Sequence, residues 1–328
     1  MAAEVRVLTA RQTREILDIR RAVEIVEETF RWLASGQVVW SDPPVMGLRV
    51  PEPKAAYRLK GAYLPALGVV GFRVTGFPLD EAGTGSGAAD NTRFVILSDP
   101  ATGHPLAILD EHWTYSVRTV AAAVVAAKYL ADPESSRLGL VGAGQLAGIG
   151  LEALLQVFPI KEARVFSRRP ESRRGFAGRM SEITGIRVRA VDSAEEAVRD
   201  APLILACTSA GRPIVQAAWV PRDAFLCTLG RDELEPECYA QADKIVFDSW
   251  ELSQESSDVR KLVQAGVLSR ERLHAEIADL VVGRARGREG PERVVVRAEG
   301  MANQDVAVCA WTFTEAARRG VGVVLPVG

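Results

Sequence analysis

The sequence predicts an α/β protein, and three consecutive features of its middle third carry that prediction. Leu138–Val141 is a short apolar run, as expected of a strand buried on both faces of a parallel sheet. Gly142–Ala147 follows at once with the spacing Gly-x-Gly-x-x-Ala, and Ile149–Phe158 then repeats apolar residues at helical spacing. A strand, a glycine turn and a helix in this order predict a Rossmann dinucleotide-binding domain.

Each small residue of the glycine turn has a separate expected role. Gly142 makes the tight turn, Gly144 lets the backbone approach a pyrophosphate, and Ala147 keeps the helix close to the strand. The helix N-terminus offers free N–H groups and the positive end of its dipole to the phosphates. The predicted cofactor contacts are Gly142, Ala143, Gly144, Gln145 and Leu146.

The end of the second strand, Ala163–Phe166, indicates which dinucleotide is bound. An NAD-binding fold usually has Asp or Glu there, which accepts a hydrogen bond from the ribose 2′-hydroxyl. This chain has Ser167, Arg168 and Arg169 instead. A carboxylate would repel a 2′-phosphate, whereas hydroxyl and guanidinium groups hydrogen-bond it. We therefore predict NADP(H) rather than NAD(H); the alternative is a solvated run of surface arginines.

Length and composition exclude several classes of protein. A chain of 328 residues is too long for one compact core, so we expect two domains. A net charge of −2 provides no field for binding nucleic acid. The four cysteines and three histidines are scattered, without the spacing of a metal or redox site. No apolar run approaches 18 residues and no signal-peptide core is present, so we expect a cytoplasmic protein without a membrane partner.

The N-terminal region predicts a mixture of helices and strands. Glu4–Leu8 is a predicted strand, Thr9 opens a helix with a capping box, and Ile19–Ser35 is a second helix. Asp80–Ala89 is polar and glycine-rich, which predicts a flexible loop, and Glu111–Leu130 is an alanine-rich helix. The predicted strands between the helices are Met46–Val50, Ala56–Leu64, Val69–Phe77, Thr92–Ser98 and Leu106–Leu109.

The second half of the chain continues the predicted parallel sheet. Gly185–Ala190 is its third strand, Ser193–Val198 a helix, and Val306–Arg319 the last helix. The remaining sheet segments are Leu203–Thr208, Phe225–Leu229, Lys244–Phe247, Leu273–Val282 and Arg293–Val296.

Two of these strands end in residues that we assign to the cofactor. Cys207, Thr208 and Ser209 stand at the end of one strand, and Gly230 follows the next. Ligands of open α/β sheets bind at the carboxyl edge of the strands, so these residues are expected to line the cofactor crevice.

Several motifs outside the glycine turn resemble those of the ornithine cyclodeaminase/mu-crystallin family. They are Arg49, Gly71–Val74, Tyr115–Leu130, Ala278–Gly283 and Gly300–Asp305, and the similarity extends over nearly the whole chain. The resemblance implies a split substrate and dimerisation domain, residues 1–118 completed by 303–328, and a Rossmann domain at 119–302. It also implies a homodimer. Members include cyclodeaminases, an alanine dehydrogenase, ketimine reductases, opine-forming synthases and a thyroid-hormone-binding crystallin.

The resemblance also implies roles for individual residues. Arg49 and Arg118 would hold the substrate α-carboxylate, and Thr119 would contact the cofactor. Two arginines that converge on a planar anion make physical sense. Arg118 lies in an otherwise alanine- and valine-rich helix, where a buried unpaired charge would be costly, and this favours a ligand role. Surface ion pairs are the alternative for both arginines.

Three positions depart from the pattern of the family. Arg73 stands where family enzymes usually carry a lysine that exchanges a proton; an arginine, always charged, stabilises an anion only. Asp232 is the candidate for the family's aspartate. Its loop is shorter than usual, however, so the alternative is that Asp232 corresponds to no catalytic residue. Lys60 lies near the position at which the similar cyclodeaminases carry a glutamate. A cation there would repel the ammonium group of a substrate side chain. Alternatively, Lys60 takes over the proton chemistry of the missing lysine if burial lowers its pKa, or it is a solvated lysine on a strand.

We therefore expect an NADPH-dependent oxidoreductase that acts on a small imino or amino acid. Arg49 and Arg118 would hold its carboxylate, Arg73 or Lys60 would polarise or protonate the imine nitrogen, and Asp232 would orient an amine or water. A cyclodeaminase that uses bound NAD(H) and a non-catalytic NADPH-dependent binder similar to mu-crystallin are the alternatives. The sequence leaves the substrate itself open.

Overall fold

The chain folds into two compact units, here seen in a computed structural model that describes residues 3–79 and 91–327. Unit 1 comprises the described residues up to 118 together with residues 301–327, and unit 2 comprises residues 119–300. The α/β class with a Rossmann-type unit is as the sequence predicts. The loop predicted at Asp80–Ala89 lies outside the described residues.

The N-terminal part of the chain is built from strands with helices at either end. Thr9 accepts from the backbone of Gln12 and Asp18 from that of Arg21, so a side chain caps each of the first two helices. The elements are β1 (Ala3–Leu8), α1 (Ala10–Ile16), α2 (Ile19–Ala34), β2 (Val39–Trp40), β3 (Met46–Val50), β4 (Ala55–Leu64), β5 (Val69–Pro78), β6 (Thr92–Ser98), β7 (Pro105–Asp110) and α3 (His112–Leu130).

The remaining elements alternate between strand and helix until the C-terminal helix and strand. They are β8 (Arg137–Val141), α4 (Gln145–Leu155), β9 (Glu162–Phe166), α5 (Pro170–Thr184), β10 (Arg187–Ala190), α6 (Ala194–Val198), β11 (Leu203–Ala206), β12 (Phe225–Thr228), α7 (Pro236–Ala240), β13 (Lys244–Phe247), α8 (Trp250–Ser253), α9 (Ser257–Gln264), β14 (Ala275–Glu276), α10 (Ile277–Val281), β15 (Val294–Arg297), α11 (Ala302–Arg319) and β16 (Val323–Val327). Within residues 3–79 and 91–327, short 3-10 turns lie at Pro65–Leu67, Ala217–Trp219 and Arg270–Arg272.

The C-terminal half differs from the sequence prediction in one predicted segment and in several short elements that were not predicted, among them α7, α8 and α9. Leu273–Val282 was expected to finish the sheet, but only Ala275–Glu276 is strand and Ile277–Val281 is a helix. A short apolar run fits either structure, and here the side chains of Glu276 and Asp279 form a capping box that starts the helix. Strand β16 was not predicted; it pairs with β1.

Unit 1 contains a mixed sheet in the order β16-β1-β7-β6-β5-β4-β2, with β3 also paired to β4. β1 and β7 are parallel, and the other pairs are antiparallel. Helix α11 packs on one face of this sheet, where a Cβ atom on Gly71 would lie 2.6 Å from the Val306 side chain. We call this side the inner face, because Val69, Gly71 and Arg73 point to it and are buried.

Unit 2 contains a parallel sheet in the order β10-β9-β8-β11-β12-β15-β13-β14. β11, β12, β13 and β15 are buried along their whole length, as apolar strands covered on both faces should be. From β8 the chain first builds outward to β9 and β10 and then returns to place β11 on the other side of β8. The strand order therefore reverses between β8 and β11, the position where open α/β sheets bind ligands.

Candidate functional site

The turn after β8 requires glycine at its first position. Gly142 has φ +122°, and its N–H donates to the Phe166 carbonyl over 2.8 Å. A Cβ atom at this position would lie 2.5 Å from the Cys207 carbonyl oxygen. The turn is thus pressed between the ends of β9 and β11, and no larger residue fits without displacing backbone.

The second glycine of the turn faces open space instead. Gly144 is the N-cap of α4 and has no side chain that could cap the helix, and a Cβ atom there would have no neighbour within 4 Å. Ala143, Gln145 and Leu146 beside it are at least partly exposed, whereas Ala147 is fully buried against the unit. The free N–H groups of α4 therefore open onto a cradle that fits a pyrophosphate.

The residues after β9 present positive charge at the edge of this turn. Arg168 and Arg169 are exposed, and Ser167 is half-buried. Arg173, in contrast, is buried. It donates to the Ser167 carbonyl over 3.1 Å and is paired with Asp192. It holds the loop in place. Ser167, Arg168 and Arg169 therefore stay the residues predicted to bind a 2′-phosphate.

A buried carboxylate that the sequence analysis missed joins the ends of β11 and β12. Glu233 accepts from the backbone N–H of Thr208 and of Gly230 (2.7 Å) and from the Thr228 hydroxyl (2.6 Å). Burial raises the pKa of Glu233, while these hydrogen bonds lower it. Glu233 thereby fixes two of the predicted cofactor residues. Its only signal in the sequence was its place in a short loop after a strand.

The other predicted residues at this edge differ in exposure. Ser209 is exposed, Cys207 is half-buried, and burial raises the pKa of the Cys207 thiol, so it is a poor nucleophile. Thr119 is buried in α3. Asp232 is partly exposed, with φ +54°; its N–H donates to Asp258 over 3.1 Å and its carboxylate lies 3.7 Å from Lys261.

In unit 1, the strand register brings predicted cations to one face of the sheet. Arg49 on β3 pairs with Ala56 on β4, and Lys60 on β4 pairs directly with Arg73 on β5. Ala56 and Lys60 are four residues apart on one strand, so all these side chains project to the inner face. Arg49 is exposed, Lys60 half-buried and Arg73 buried. The face therefore carries a row of positive charge from its rim to its interior.

Arg73 is paired with a protein carboxylate, which the sequence did not predict. Its Nε donates to Glu111 Oε2 over 2.6 Å and lies 3.9 Å from Asp305 Oδ2. Glu111 is fully buried just before α3. The hypothesis that Arg73 is a substrate-binding cation did not include this partner, and the sequence held no signal for it because the two residues are 38 positions apart.

Arg118 makes the second buried ion pair of this face. Its Nε donates to Asp305 Oδ1 over 2.5 Å, and both side chains are almost completely buried. The ion pair explains how α3 tolerates a charge among alanines and valines. Asp305, on α11, thus stands between Arg118 and Arg73.

Three guanidinium groups surround the ring of Tyr115. Arg93, Arg118 and Arg73 lie 4.0, 4.7 and 4.9 Å from its centroid. Burial raises the pKa of Tyr115, but Arg118, Arg93 and Arg73 together bring it below its ordinary value. Arg93 lies on the inner face too, because it is paired with Thr75 on β5. We call Lys60, Arg73, Arg93, Arg118, Glu111, Asp305 and Tyr115 the cation cluster.

Two kinds of feature are absent from the part of the chain that the structure describes. None of their helices has both the length and the apolar character needed to cross a membrane. Across residues 3–79 and 91–327, no three side chains of His, Cys, Asp or Glu are grouped so that they could hold a metal ion.

Comparisons with known proteins agree with this architecture. The sequence model of the ornithine cyclodeaminase/mu-crystallin family matches residues 3–320. Alanine dehydrogenase of Archaeoglobus fulgidus is 33% identical over 326 residues, 97% of each chain. The structure of Thermococcus litoralis Δ1-pyrroline-2-carboxylate reductase in complex with NADH and L-proline has a TM-score of 0.89 and 28% identity, covering 97% of this chain and 99% of that one. The structure of an archaeal alanine dehydrogenase dimer with bound NAD has a TM-score of 0.89 and 30% identity. The match covers 99% of this chain and 100% of that one.

Proposed function

The chain belongs to the ornithine cyclodeaminase/mu-crystallin family, and from this premise we propose that it is an NADPH-dependent oxidoreductase that reduces a small imino acid. Its relatives include a dehydrogenase named for alanine and a reductase named for pyrroline-2-carboxylate, the latter bound to NADH and L-proline. Nicotinamide dinucleotides are therefore the cofactor class of the neighbours. The preference for the 2′-phosphate form rests on Ser167, Arg168 and Arg169 of this chain.

The observation that carries the proposal is the convergence of cations on the inner face. Arg73, Arg93 and Arg118 meet around Tyr115, and Lys60 is paired with Arg73 on the same face; among the described residues, the carboxylates of the cluster are Glu111 and Asp305. Such a surplus of positive charge favours an anionic ligand, and guanidinium groups grip a carboxylate through paired hydrogen bonds. The exposed Arg49 at the rim of the same face adds a further donor.

We assign the steps of the reaction as follows. Arg118 and Arg49 hold the substrate α-carboxylate, and Arg73 stabilises an anionic group without exchanging a proton. Lys60 donates a proton toward the imine nitrogen, because it is the titratable cation of the cluster and is already half-buried. Asp232 orients the amine or a water molecule. The turn from Gly142 to Leu146 would hold the pyrophosphate of the dinucleotide, whose nicotinamide would supply the hydride.

Steady-state consumption of NADPH tests the reaction. The panel should contain Δ1-pyrroline-2-carboxylate and α-keto acids mixed with ammonia or simple amines. Turnover with net NADPH oxidation supports the reductase. Release of ammonia from an amino acid without net change in cofactor would show a cyclodeaminase, and tight NADPH binding without any turnover would show a binding protein.

The Lys60→Met variant tests the assigned proton donor. Loss of a general acid should lower kcat by about 10² or more, while the affinity for NADPH, bound through unit 2, stays the same. Arg58→Met is the matched control, because Arg58 is two residues away on the same face of β4 and stacks on Phe77 at 5.4 Å. Equal effects of the two substitutions would remove Lys60 from the mechanism.

We also propose a homodimer built through unit 1. Its sheet leaves large apolar side chains exposed on the face opposite α11: Met46, Leu48, Tyr57 and Phe72 are between 41% and 56% exposed. The register places Leu48 next to Tyr57, and Phe72 next to Gly61, so the four side chains share this outer face. A contiguous exposed apolar face marks an interface. The archaeal alanine dehydrogenase, 30% identical, is described as a dimer.

A further inference from the structure

The cation cluster contains two carboxyl groups that are incompletely bonded. Glu111 and Asp305 are both fully buried. Glu111 Oε2 accepts from Arg73 and Asp305 Oδ1 accepts from Arg118, but Glu111 Oε1 and Asp305 Oδ2 have no hydrogen-bond donor among the described residues. Buried oxygens without a donor are rare, since each costs roughly 1–3 kcal/mol of stability.

One proton satisfies both oxygens. The two side chains are within hydrogen-bonding reach of each other, and Arg73 Nε lies 2.6 Å from one and 3.9 Å from the other. If Glu111 is an undissociated acid, its O–H donates to Asp305, and Asp305 keeps the charge that faces Arg118. Two carboxyl groups this close do not ionise together readily, because their charges repel in a medium of low dielectric constant.

We propose that Glu111 is a positioning residue that works in its neutral form: it shares one proton with Asp305, fixes the Nε edge of Arg73, and leaves the positive charge of that guanidinium for an anionic group of the substrate. The inference deepens the proposed function and rests on it for the identity of the anion. Had Glu111 been charged, the pair with Arg73 would be neutral and would attract an anion much less.

The surroundings of Glu111 decide which carboxyl holds the proton. Burial raises the pKa of Glu111, as does Asp305, while Arg73 and Arg118 lower it; the balance lies at about 8. Burial also raises the pKa of Asp305, but Arg118, Arg73 and Lys60 bring it below its ordinary value. Two further titratable groups belong to the surroundings: Cys309 on α11, whose thiol pKa is raised by burial so that it is neutral, and Tyr115 on α3, whose pKa the neighbouring guanidinium groups bring below its ordinary value. Asp305 is therefore the anion and Glu111 the acid.

The proposal predicts that anion affinity falls as Glu111 loses its proton. Calorimetry of the NADPH-loaded protein with pyrrole-2,5-dicarboxylate, a stable planar probe with one carboxylate for Arg49 and Arg118 and a second for Arg73, measures Kd from pH 6.5 to 9.5. We expect the wild type to bind about ten-fold or more weakly at the alkaline end, and Glu111→Gln, which imitates the neutral acid, to bind with little change across the range. A parallel decline in both proteins would overturn the proposal.

Lys60 loses charge and Tyr115 gains charge as the pH rises, so Lys60→Met and Tyr115→Phe are the matched controls. Each variant should keep the pH dependence that Glu111→Gln abolishes. If either variant abolishes it instead, the decline belongs to that residue and the inference about Glu111 fails.

Infrared spectroscopy of the protein without substrate separates this inference from the proposed function. An undissociated carboxyl group absorbs apart from carboxylates, and labelling of glutamate with carbon-13 shifts the band of a glutamic acid. We expect a labelled band at pH 6.5 that disappears by pH 9.5. The band should be absent from Glu111→Gln and retained in Glu233→Gln, which removes another buried glutamate. A wild-type protein or a Glu233→Gln variant without such a band at pH 6.5 would disprove the shared proton even if Glu111→Gln does not fold.

Discussion

Arg168 is the residue at which cofactor choice is most directly tested. Arg168 and Arg169 are exposed after β9, and across the described chain neither forms an ion pair. A charge-assisted bond to a 2′-phosphate contributes roughly 1.5–3 kcal/mol, so Arg168→Ala should weaken NADPH binding about ten-fold or more and leave NADH binding unchanged. Fluorescence titration with each cofactor measures both constants.

Arg187→Ala is the control for this substitution, because it also removes an exposed cation of unit 2, on β10. It should affect neither cofactor. A wild type that binds NADH as tightly as NADPH would end the assignment.

Glu111 also predicts a dependence of stability on pH. Burial raises its pKa from the ordinary value of 4.5 to about 8, so between these values the folded state holds a proton that the unfolded state has lost. The free energy of unfolding must then fall as pH rises through this window, by up to about 1.4 kcal/mol per unit. The free energy of unfolding, measured by chemical denaturation between pH 5 and 8, should fall in the wild type relative to Glu111→Gln, in which residue 111 has no proton to lose. Parallel curves would contradict a raised pKa.

The sequence indicated the cations of the site but not their partners. Arg118 was singled out because a charge inside an apolar helix needs an explanation, and Arg73 because the resemblance points to its position. Glu111 and Glu233 were missed for one physical reason: an acidic residue next to a helix or a turn is ordinarily solvated, and only long-range packing buries it. Arg73 lies 38 residues from Glu111, and Arg118 lies 187 residues from Asp305.

At the scale of elements, the turn between β8 and α4 allows a paired test. Gly142→Ala places a Cβ atom against the Cys207 carbonyl at φ +122°, so we expect a loss of more than about 1 kcal/mol of stability. Gly144→Ala meets no neighbour and should change stability by less than roughly 0.5 kcal/mol. Its methyl group nevertheless enters the cradle and should weaken NADPH binding about ten-fold or more. Thermal melts with and without NADPH distinguish the two effects; a Gly144→Ala protein with wild-type affinity would place the pyrophosphate elsewhere.

Elements were predictable where their signals are local. The Thr9 capping box, β3 and β6 follow from neighbouring residues, and the structure confirms all three. β16 was missed because it is short, contains Pro326 and is stabilised by pairing with β1, which lies far away in the sequence. α10 was predicted to be part of the sheet because its five residues are too few to distinguish the apolar periodicity of a helix from that of a strand.

At the scale of the molecule, the exposed outer face of unit 1 predicts its association. Leu48→Asp combined with Phe72→Asp puts two charges into the proposed interface, and sedimentation should show a change from a dimer of 35.5 kDa chains to a monomer. Ile183→Asp, at a residue 58% exposed on α5 of unit 2, should leave the dimer intact. A wild type that sediments as a monomer at micromolar concentration would refute the interface.

The division of unit 1 between both ends of the chain has a consequence for synthesis. The sheet of the first 118 residues leaves the ribosome early, yet α11, which covers its inner face at Gly71 and brings Asp305 to Arg118, is translated only after residues 119–300. Unit 2 has all its strands by then and can fold first. The nascent first sheet must wait with its arginines and its inner face uncovered, so we expect this segment to be the part of the chain most exposed to misfolding during synthesis.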